Sequence, residues 1–278
     1  MHSTQALSES QINGFVSLLK DSDTSVLSLM AQQVSSLSPE SLKLIDDIAS
    51  KSNDDDLIDN WYHASRLSLK YMIEDWKRIH HHDLEKGLFL VARVYTPYLD
   101  EIAYSEQLDS YAKRVSELLD TKATTDDTIK AINTVLFDEE KFSGNQSNYY
   151  DIRNNFLHTV LETKLGNPIM LSSVYILVAR RLGIDVHGVG APGHFIIKFA
   201  DQFLDPFFGG RKITKEECVI RAQELSVFWR DEYLDPIEEA FIVARCIRNL
   251  VAIYKRNNEL DKAADISEIL KYFDNPLR

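Results

Sequence analysis

The chain has 278 residues, 44% of them hydrophobic and 27% charged, so we expect a substantial core divided into two or three lobes. Its net charge of −12 argues against nucleic-acid binding, because neutralising phosphates requires clustered Lys and Arg. No stretch approaches the roughly 18–20 apolar residues of a membrane span, and the first residues predict no secretory signal. Cys218 and Cys246 are too few for a disulfide framework, which favours a cytoplasmic protein.

The first third of the chain predicts capped helices. Ser8 and Gln11 have the spacing of a capping box ahead of an apolar helical face. Thr24 is expected to cap a second helix, and Ser38-Pro39 to begin a third. The first two helices resemble a HEAT-type hairpin, but one hairpin is not a repeat array.

The middle of the chain changes from helical to β-type patterning. Helices are expected through Leu108–Leu119 and Thr128–Phe137. Val186–Val189 and Phe195–Phe199 are short, apolar and β-prone, and Gly and Pro bound them, so they predict strands. If the turn after Phe199 has two residues, the side chains of His194 and Asp205 lie on one face of the hairpin; a three-residue turn would place them on opposite faces.

The segment Ile169–Leu182 predicts the central helix. Asn167 is a preferred N-cap residue, and Pro168 suits a first turn, where a missing N–H costs nothing. Gly183 is typical of a helix end.

Four motifs carry a family resemblance, namely F-S-G-N-Q-S-N-Y-Y-D-I-R-N-N-F-L, G-N-P-I-M-L-S-S-V-Y, G-A-P-G-H-F and L-D-P-F-F-G-G-R, all within residues 142–211. Together they resemble the transglutaminase-like domain of the bacterial SirB-type, tetratricopeptide-containing regulator family. The resemblance implies a predominantly helical α+β protein whose papain-like core contains a small antiparallel sheet. It implies three segments: a helical N-terminal lobe (1–120), the core (121–215) and a tetratricopeptide-like helical tail packed on the core (216–278).

The resemblance also assigns residues to a catalytic arrangement. In active members of the wider superfamily a Cys opens a helix, and a His and an Asp follow on neighbouring strands. His194 and Asp205 match the His and the Asp. The helix here opens with Asn167-Pro168-Ile169, which supplies no nucleophile. We therefore expect a catalytic remnant rather than an active cysteine enzyme, because Cys218 and Cys246 match no catalytic position.

A second group of residues is expected to line a pocket near His194. Tyr150, Arg153 and Asn154 belong to the first family-like motif, and Asn167 and Pro168 to the second. The alternative is structural: Asn154 caps the helix that follows it, and Arg153 pairs with a carboxylate. Ile152 and Asn155 depart from the family pattern, where Pro and Ser are usual.

Two further patterns do not predict cofactors. Residues 188–193 fit G-x-G-x-x-G, but a dinucleotide site needs a helix next, and Phe195–Phe199 predicts a strand. The run His80-His81-His82 points its side chains in different directions on a helix, so no metal site is expected.

The absence of a nucleophile at the helix start, together with the family resemblance, favours a non-catalytic protein-interaction or regulatory module whose partner is another protein. The alternatives are a hydrolase or acyl-transfer enzyme using His194 and Asp205, or a small-ligand sensor using the vacated cleft. The tail after Pro236 is expected to belong to the folded core through Leu250, Ile253, Tyr254 and Ala264, because one repeat-like hairpin cannot bury its own apolar face.

Overall fold

The computed structural model describes residues 5–21, 23–80 and 83–273. Contacts divide these residues into two compact units. The first unit contains residues 5–80, 86–100 and 247–273, and the second contains residues 83–85 and 101–246. The division at residues 120 and 215 stays a prediction.

Most of the described chain is helical. The helices are α1 Glu9–Leu18, α2 Thr24–Val34, α3 Pro39–Ser50, α4 Asp55–His80, α5 Leu84–Ala92, α6 Glu101–Leu118, α7 Thr125–Asn133, α8 Leu157–Thr163, α9 Pro168–Arg181, α10 Lys215–Glu224, α11 Glu239–Arg256 and α12 Leu260–Ile269. A π-helix, Thr134–Glu139, continues α7, and 3₁₀ turns span Ile152–Asn155, Pro206–Phe208, Asp231–Leu234 and Leu270–Tyr272. No described helix is long and apolar enough to cross a membrane.

The first helices begin at the capping signals of the sequence, with one correction. Ser8 and Gln11 form the expected capping box, and Ser38 caps α3 with Pro39 in its first turn. The cap of α2 is Asp23, whose Oδ1 accepts from the Ser25 N–H at 2.8 Å. The prediction of Thr24 as this cap was wrong, because the Asp carboxylate one residue earlier reaches the free amide.

The first unit is held by apolar side chains on α1 to α4. Its core includes Leu19, Ile45 and Trp61, none of which exposes any measurable surface. The Trp61 indole N–H donates to Asp46 Oδ1 at 2.7 Å, so the buried ring keeps its polar atom satisfied.

The second unit contains two sheets. Strands β1 Ser143–Gly144 and β2 Leu165–Gly166 form a short parallel pair. The other sheet is antiparallel with the order β6-β5-β4-β3-β7, and its strands are β3 Val186–Val189, β4 Ile196–Phe199, β5 Gln202–Asp205, β6 Arg211–Ile213 and β7 Pro236–Ile237. Phe199 pairs with Gln202, so the β4–β5 turn has the two residues expected, and Ala200 takes a positive φ of 55° as such turns require.

Helix α9 is the centre of the second unit. Every residue from Pro168 to Ala179 is buried, and the helix packs against β3, β4 and the turn Pro206–Phe208. Its side chains are mostly apolar on every face, as expected for a helix that is buried on all sides.

Helices α11 and α12 carry the end of the described chain. Residues of α11 up to Cys246 belong to the second unit and those from Ile247 to the first, where α12 packs against α4. Leu250, Ile253 and Tyr254 are buried as expected, but Ala263 rather than Ala264 is the buried alanine of α12.

Candidate functional site

His194 lies in the loop just before β4, and its backbone is fixed on both sides. Its N–H donates to the Ala191 carbonyl at 3.1 Å, and its carbonyl accepts from Arg245 Nη2 at 3.1 Å. Gly193 has a φ of +63°, a conformation that glycine adopts without strain. The imidazole therefore sits on a loop of defined geometry.

Asp205 ends β5 and meets His194 across the hairpin. Its Oδ2 lies 2.8 Å from His194 Nε2, and its Oδ1 accepts from the Phe207 N–H at 3.2 Å. The His194 side chain is 4% exposed and that of Asp205 is 0% exposed. The β4–β5 turn has two residues, and with that turn length both side chains lie on one face of the hairpin, as the parity of the strands requires. A carboxylate at this position makes Nε2 the protonated nitrogen and fixes the orientation of the ring.

Two aromatic rings lie beside the imidazole. The Phe207 and Phe208 ring centroids lie 6.2 and 6.3 Å from that of His194. Nδ1 of His194 makes no hydrogen bond to any described residue. It is thus the nitrogen that could accept a proton.

The start of α9 is closed chemically as well as sterically. Asn167 Oδ1 accepts from the Met170 N–H at 2.8 Å, and Pro168 has no N–H to offer. Asn167 and Ile169 are each 4% exposed, and Pro168 is buried. Of the first three helical residues, Pro168 has no N–H and Met170 has its N–H occupied, so neither can donate to an oxyanion.

A network of asparagines supports this helix start. Asn167 Nδ2 donates to Asn155 Oδ1 at 2.6 Å, and the Asn167 N–H donates to the Asn154 carbonyl at 3.3 Å. Asn145 Nδ2 donates to Asn154 Oδ1 at 2.9 Å. Asn154 Nδ2 in turn donates to the carbonyls of Asn148 and Tyr149.

The sequence placed Asn154 and Asn167 at the site but missed Asn145 and Asn155. The frequent Asn residues of the first family-like motif are the sequence feature that could have indicated them. The alternative role of Asn154 as a helix cap was wrong, because its side-chain amide is hydrogen-bonded to the preceding loop. The N-cap residue of α8 is Phe156, whose side chain makes no capping hydrogen bond.

Tyr150 and Arg153 lie on the surface beside this network. Tyr150 is 53% exposed, and its ring meets that of Tyr149 edge-on at 5.2 Å. Arg153 Nη2 pairs with Asp151 Oδ2 at 2.7 Å, the carboxylate contact of the structural alternative. The Asp151 pKa is held below its usual value first of all by that hydrogen bond from Arg153. The structure brings Asn154, Asn167 and Pro168 together, whereas Tyr150 and Arg153 are exposed.

Comparison with known proteins decides the family. A family model described as the transglutaminase-like superfamily matches residues 102–248. The chain belongs to this superfamily. A UPF0162 protein of Xylella fastidiosa strain 9a5c is 36% identical over 197 residues, covering 67% of this chain and 70% of that protein.

Other relatives of this transglutaminase-like chain include bacterial and mammalian proteins. A UPF0162 protein of Pseudomonas aeruginosa is 28% identical over 179 residues, covering 63% of this chain and 66% of that protein. F-box only protein 21 of Mus musculus is 35% identical over 102 residues, covering 32% of this chain and 16% of that protein. No solved structure matches the chain.

The thiols of this transglutaminase-like chain are buried on helices other than α9. Cys218 lies on α10 and is 4% exposed, and burial raises the pKa of its thiol. Cys246 lies on α11 without exposed surface, and burial raises the pKa of its thiol to about 12. Neither forms a thiolate readily near neutral pH, and the thiolate is the nucleophile in cysteine chemistry.

Patterns that suggested other ligands find no support in the described residues. Gly193 is followed by β4 rather than by a helix, which a dinucleotide site would need. Within the described ranges no three His, Cys, Asp or Glu side chains are grouped to hold a metal ion. His81 and His82 of the histidine run lie outside the described residues.

Proposed function

We propose that this chain is a non-catalytic transglutaminase-like protein, a pseudoenzyme that acts by binding another protein. The observation that carries the proposal is the start of α9. There Asn167, Pro168 and Ile169 supply no nucleophile, and the Asn167 side chain takes the Met170 amide. A cysteine enzyme of this type needs a thiol within reach of its base and free amides for the oxyanion.

Burial supports the same proposal. A substrate carbonyl would have to reach the helix start, but Asn167 and Ile169 are each 4% exposed, and the His194 side chain is also 4% exposed. The buried asparagine side chains are instead hydrogen-bonded to one another. Such a network fixes the structure of the loops around it rather than turning over a substrate.

The finer identity that we propose follows the motifs of residues 142–211. It is a SirB-type cytoplasmic regulator with a papain-like core, in which α11 and α12 act as a tetratricopeptide-like hairpin. The amphipathic α11 and its short connection to α12 support this assignment.

Activity assays test the absence of catalysis. Amine incorporation into a protein substrate and peptide hydrolysis should both stay at background for the wild type and for the Cys218→Ala/Cys246→Ala variant. Wild-type turnover that the double variant loses would overturn the proposal. In parallel, the tagged full chain should co-purify with a stoichiometric partner from native lysate, and the Cys218→Ala/Cys246→Ala variant should capture that partner equally well.

A second candidate is a hydrolase that activates water. It is favoured by the 2.8 Å contact between His194 Nε2 and Asp205, which leaves Nδ1 able to accept a proton. Turnover that survives loss of both cysteines but disappears in His194→Ala would establish it in place of the pseudoenzyme.

A further inference from the structure

Aromatic rings form a continuous series of contacts beside His194. The ring centroids of Tyr149 and Tyr150 are 5.2 Å apart, those of Tyr149 and Phe207 are 6.0 Å apart, and those of Phe207 and Phe208 are 5.1 Å apart. Phe207 is buried, whereas Tyr149, Tyr150 and Phe208 are 42%, 53% and 40% exposed. Contiguous exposed apolar groups of this kind mark interaction sites more often than scattered ones do.

The end of α10 borders the same surface. A Cβ placed on Gly193 would lie 2.2 Å from Leu225 Cδ1, so the Leu225 side chain covers the residue next to His194. Leu225 is itself 51% exposed. We call Tyr149, Tyr150, Phe208 and Leu225 together the aromatic face.

Positive charge lies at this face although the chain is acidic. Arg221 precedes Leu225 by one helical turn. Burial raises the pKa of Tyr149, and the nearby charges of Arg221 and Arg245 oppose that rise. The Arg211 guanidinium lies 5.8 Å from the centroid of the Phe208 ring. The aromatic face is thus flanked by guanidinium groups.

Three carboxylates near the aromatic face are already engaged. Asp205 is bound to His194, Glu217 to Arg211 at 2.7 Å, and Asp151 to Arg153. Arg221 has no ion pair or side-chain hydrogen bond within the described part of the chain. It is therefore available to a carboxylate from outside, and a partly buried guanidinium gains most from such a pairing.

We propose that the aromatic face binds a short segment of another protein in which apolar side chains flank an acidic residue. The apolar side chains would pack on the exposed rings and Leu225, and the carboxylate would pair with Arg221. The segment is short because the net charge of −12 would repel an extended acidic surface. This inference rests on the proposed interaction function and names the chemistry of its partner.

The test uses the full chain and a displayed library of random peptides. Selection should enrich peptides that carry Asp or Glu next to aromatic or aliphatic residues. The enriched peptide, made synthetically with a fluorescent label, is then titrated against the wild type and against Tyr150→Ala, Phe208→Ala and Arg221→Glu. Each variant should weaken binding about tenfold or more, as expected for central contacts of an interface.

Matched controls lie on α6 of the same unit. Ile102→Ala removes an apolar side chain that is 72% exposed, and Lys113→Glu reverses the charge of an exposed residue. Both should bind the peptide as the wild type does. Thermal melting of every variant separates lost binding from lost folding, and the substituted rings are exposed enough for folding to persist.

Each other outcome overturns the inference in a recognisable way. Failure to enrich acidic peptides, or binding unaffected by all three variants, would reject the aromatic face as an acidic-peptide site. Self-association that Phe208→Ala abolishes would identify a second copy of the chain as the occupant instead. None of these results would bear on the proposed lack of catalysis, which fails only if the activity assays show turnover.

Discussion

Two His–Asp pairs in the second unit have similar geometry but opposite burial. His194 Nε2 lies 2.8 Å from Asp205, and His187 Nε2 lies 3.0 Å from Asp185. The side chains of the first pair are 4% and 0% exposed, and those of the second are 41% and 87% exposed. Comparing the two pairs isolates what burial contributes to the free energy of unfolding.

The structure sets the expected sizes. Asp205→Ala would leave two buried donors, His194 Nε2 and the Phe207 N–H, without an acceptor, and each such loss costs about 1–3 kcal/mol. We expect Asp205→Ala to lower the free energy of unfolding by about 3 kcal/mol. Its coupling energy with His194→Ala should be about 2 kcal/mol. At the exposed His187–Asp185 pair the coupling should be about 0–0.5 kcal/mol.

The assay is a pair of double-mutant cycles measured by urea unfolding. The three tryptophans of the chain report the transition, and all variants are measured at one pH. Equal coupling energies for the two pairs, or a coupling below about 0.5 kcal/mol at the buried pair, would refute the claim that the buried pair stabilises the hairpin.

Gly210→Ala should lower the free energy of unfolding by at least about 2 kcal/mol, because Gly210 has a φ of +70° and the new Cβ would lie 2.2 Å from Asn133 Oδ1. Gly14→Ala, in an open part of α1, should instead raise the free energy of unfolding by about 0.5–1 kcal/mol. Urea unfolding that ranks the two variants the other way would contradict this prediction. Burial lowers the pKa of His158 below 6.5, so the unfolded chain takes up a proton there before the folded chain does. Stability should therefore fall as the pH drops below 6.5, and His158→Phe should make that fall shallower; identical slopes in pH-dependent unfolding would count against it. Deletion of the chain after Asp235 removes buried residues of both units and should give insoluble or molten protein. A cooperative calorimetric transition of the truncated chain near the melting temperature of the full-length chain would refute this prediction.

Features that depend on local chemistry could be predicted from the sequence. The Asn167 cap with Pro168 in the first turn and the capping box at Ser8 are each specified by a few neighbouring residues. The sequence left two turn lengths open after Phe199, and the structure has the two-residue turn. The meeting of His194 and Asp205 followed from the parity of that one hairpin.

Features that depend on distant partners could not be predicted. Strand β7 has two residues, which form a strand because β3 offers a free edge, whereas the family resemblance implied a helical tail there. The π-helix Thr134–Glu139 continues α7 without a recognisable signal. The roles of Asn145 and Asn155 arise from amides brought together across the loop and α9, which spacing along the chain does not reveal.

The capped start of α9 also limits what evolution or engineering could do with this protein. A cysteine placed at position 168 would find the Met170 amide bound to Asn167 and its neighbours Asn167 and Ile169 buried. Thiol chemistry at this helix start would require the cap to be removed and the surroundings opened at the same time, although each change alone weakens the helix that holds the unit together. No single substitution at the start of α9 is therefore enough to create a reactive thiol there.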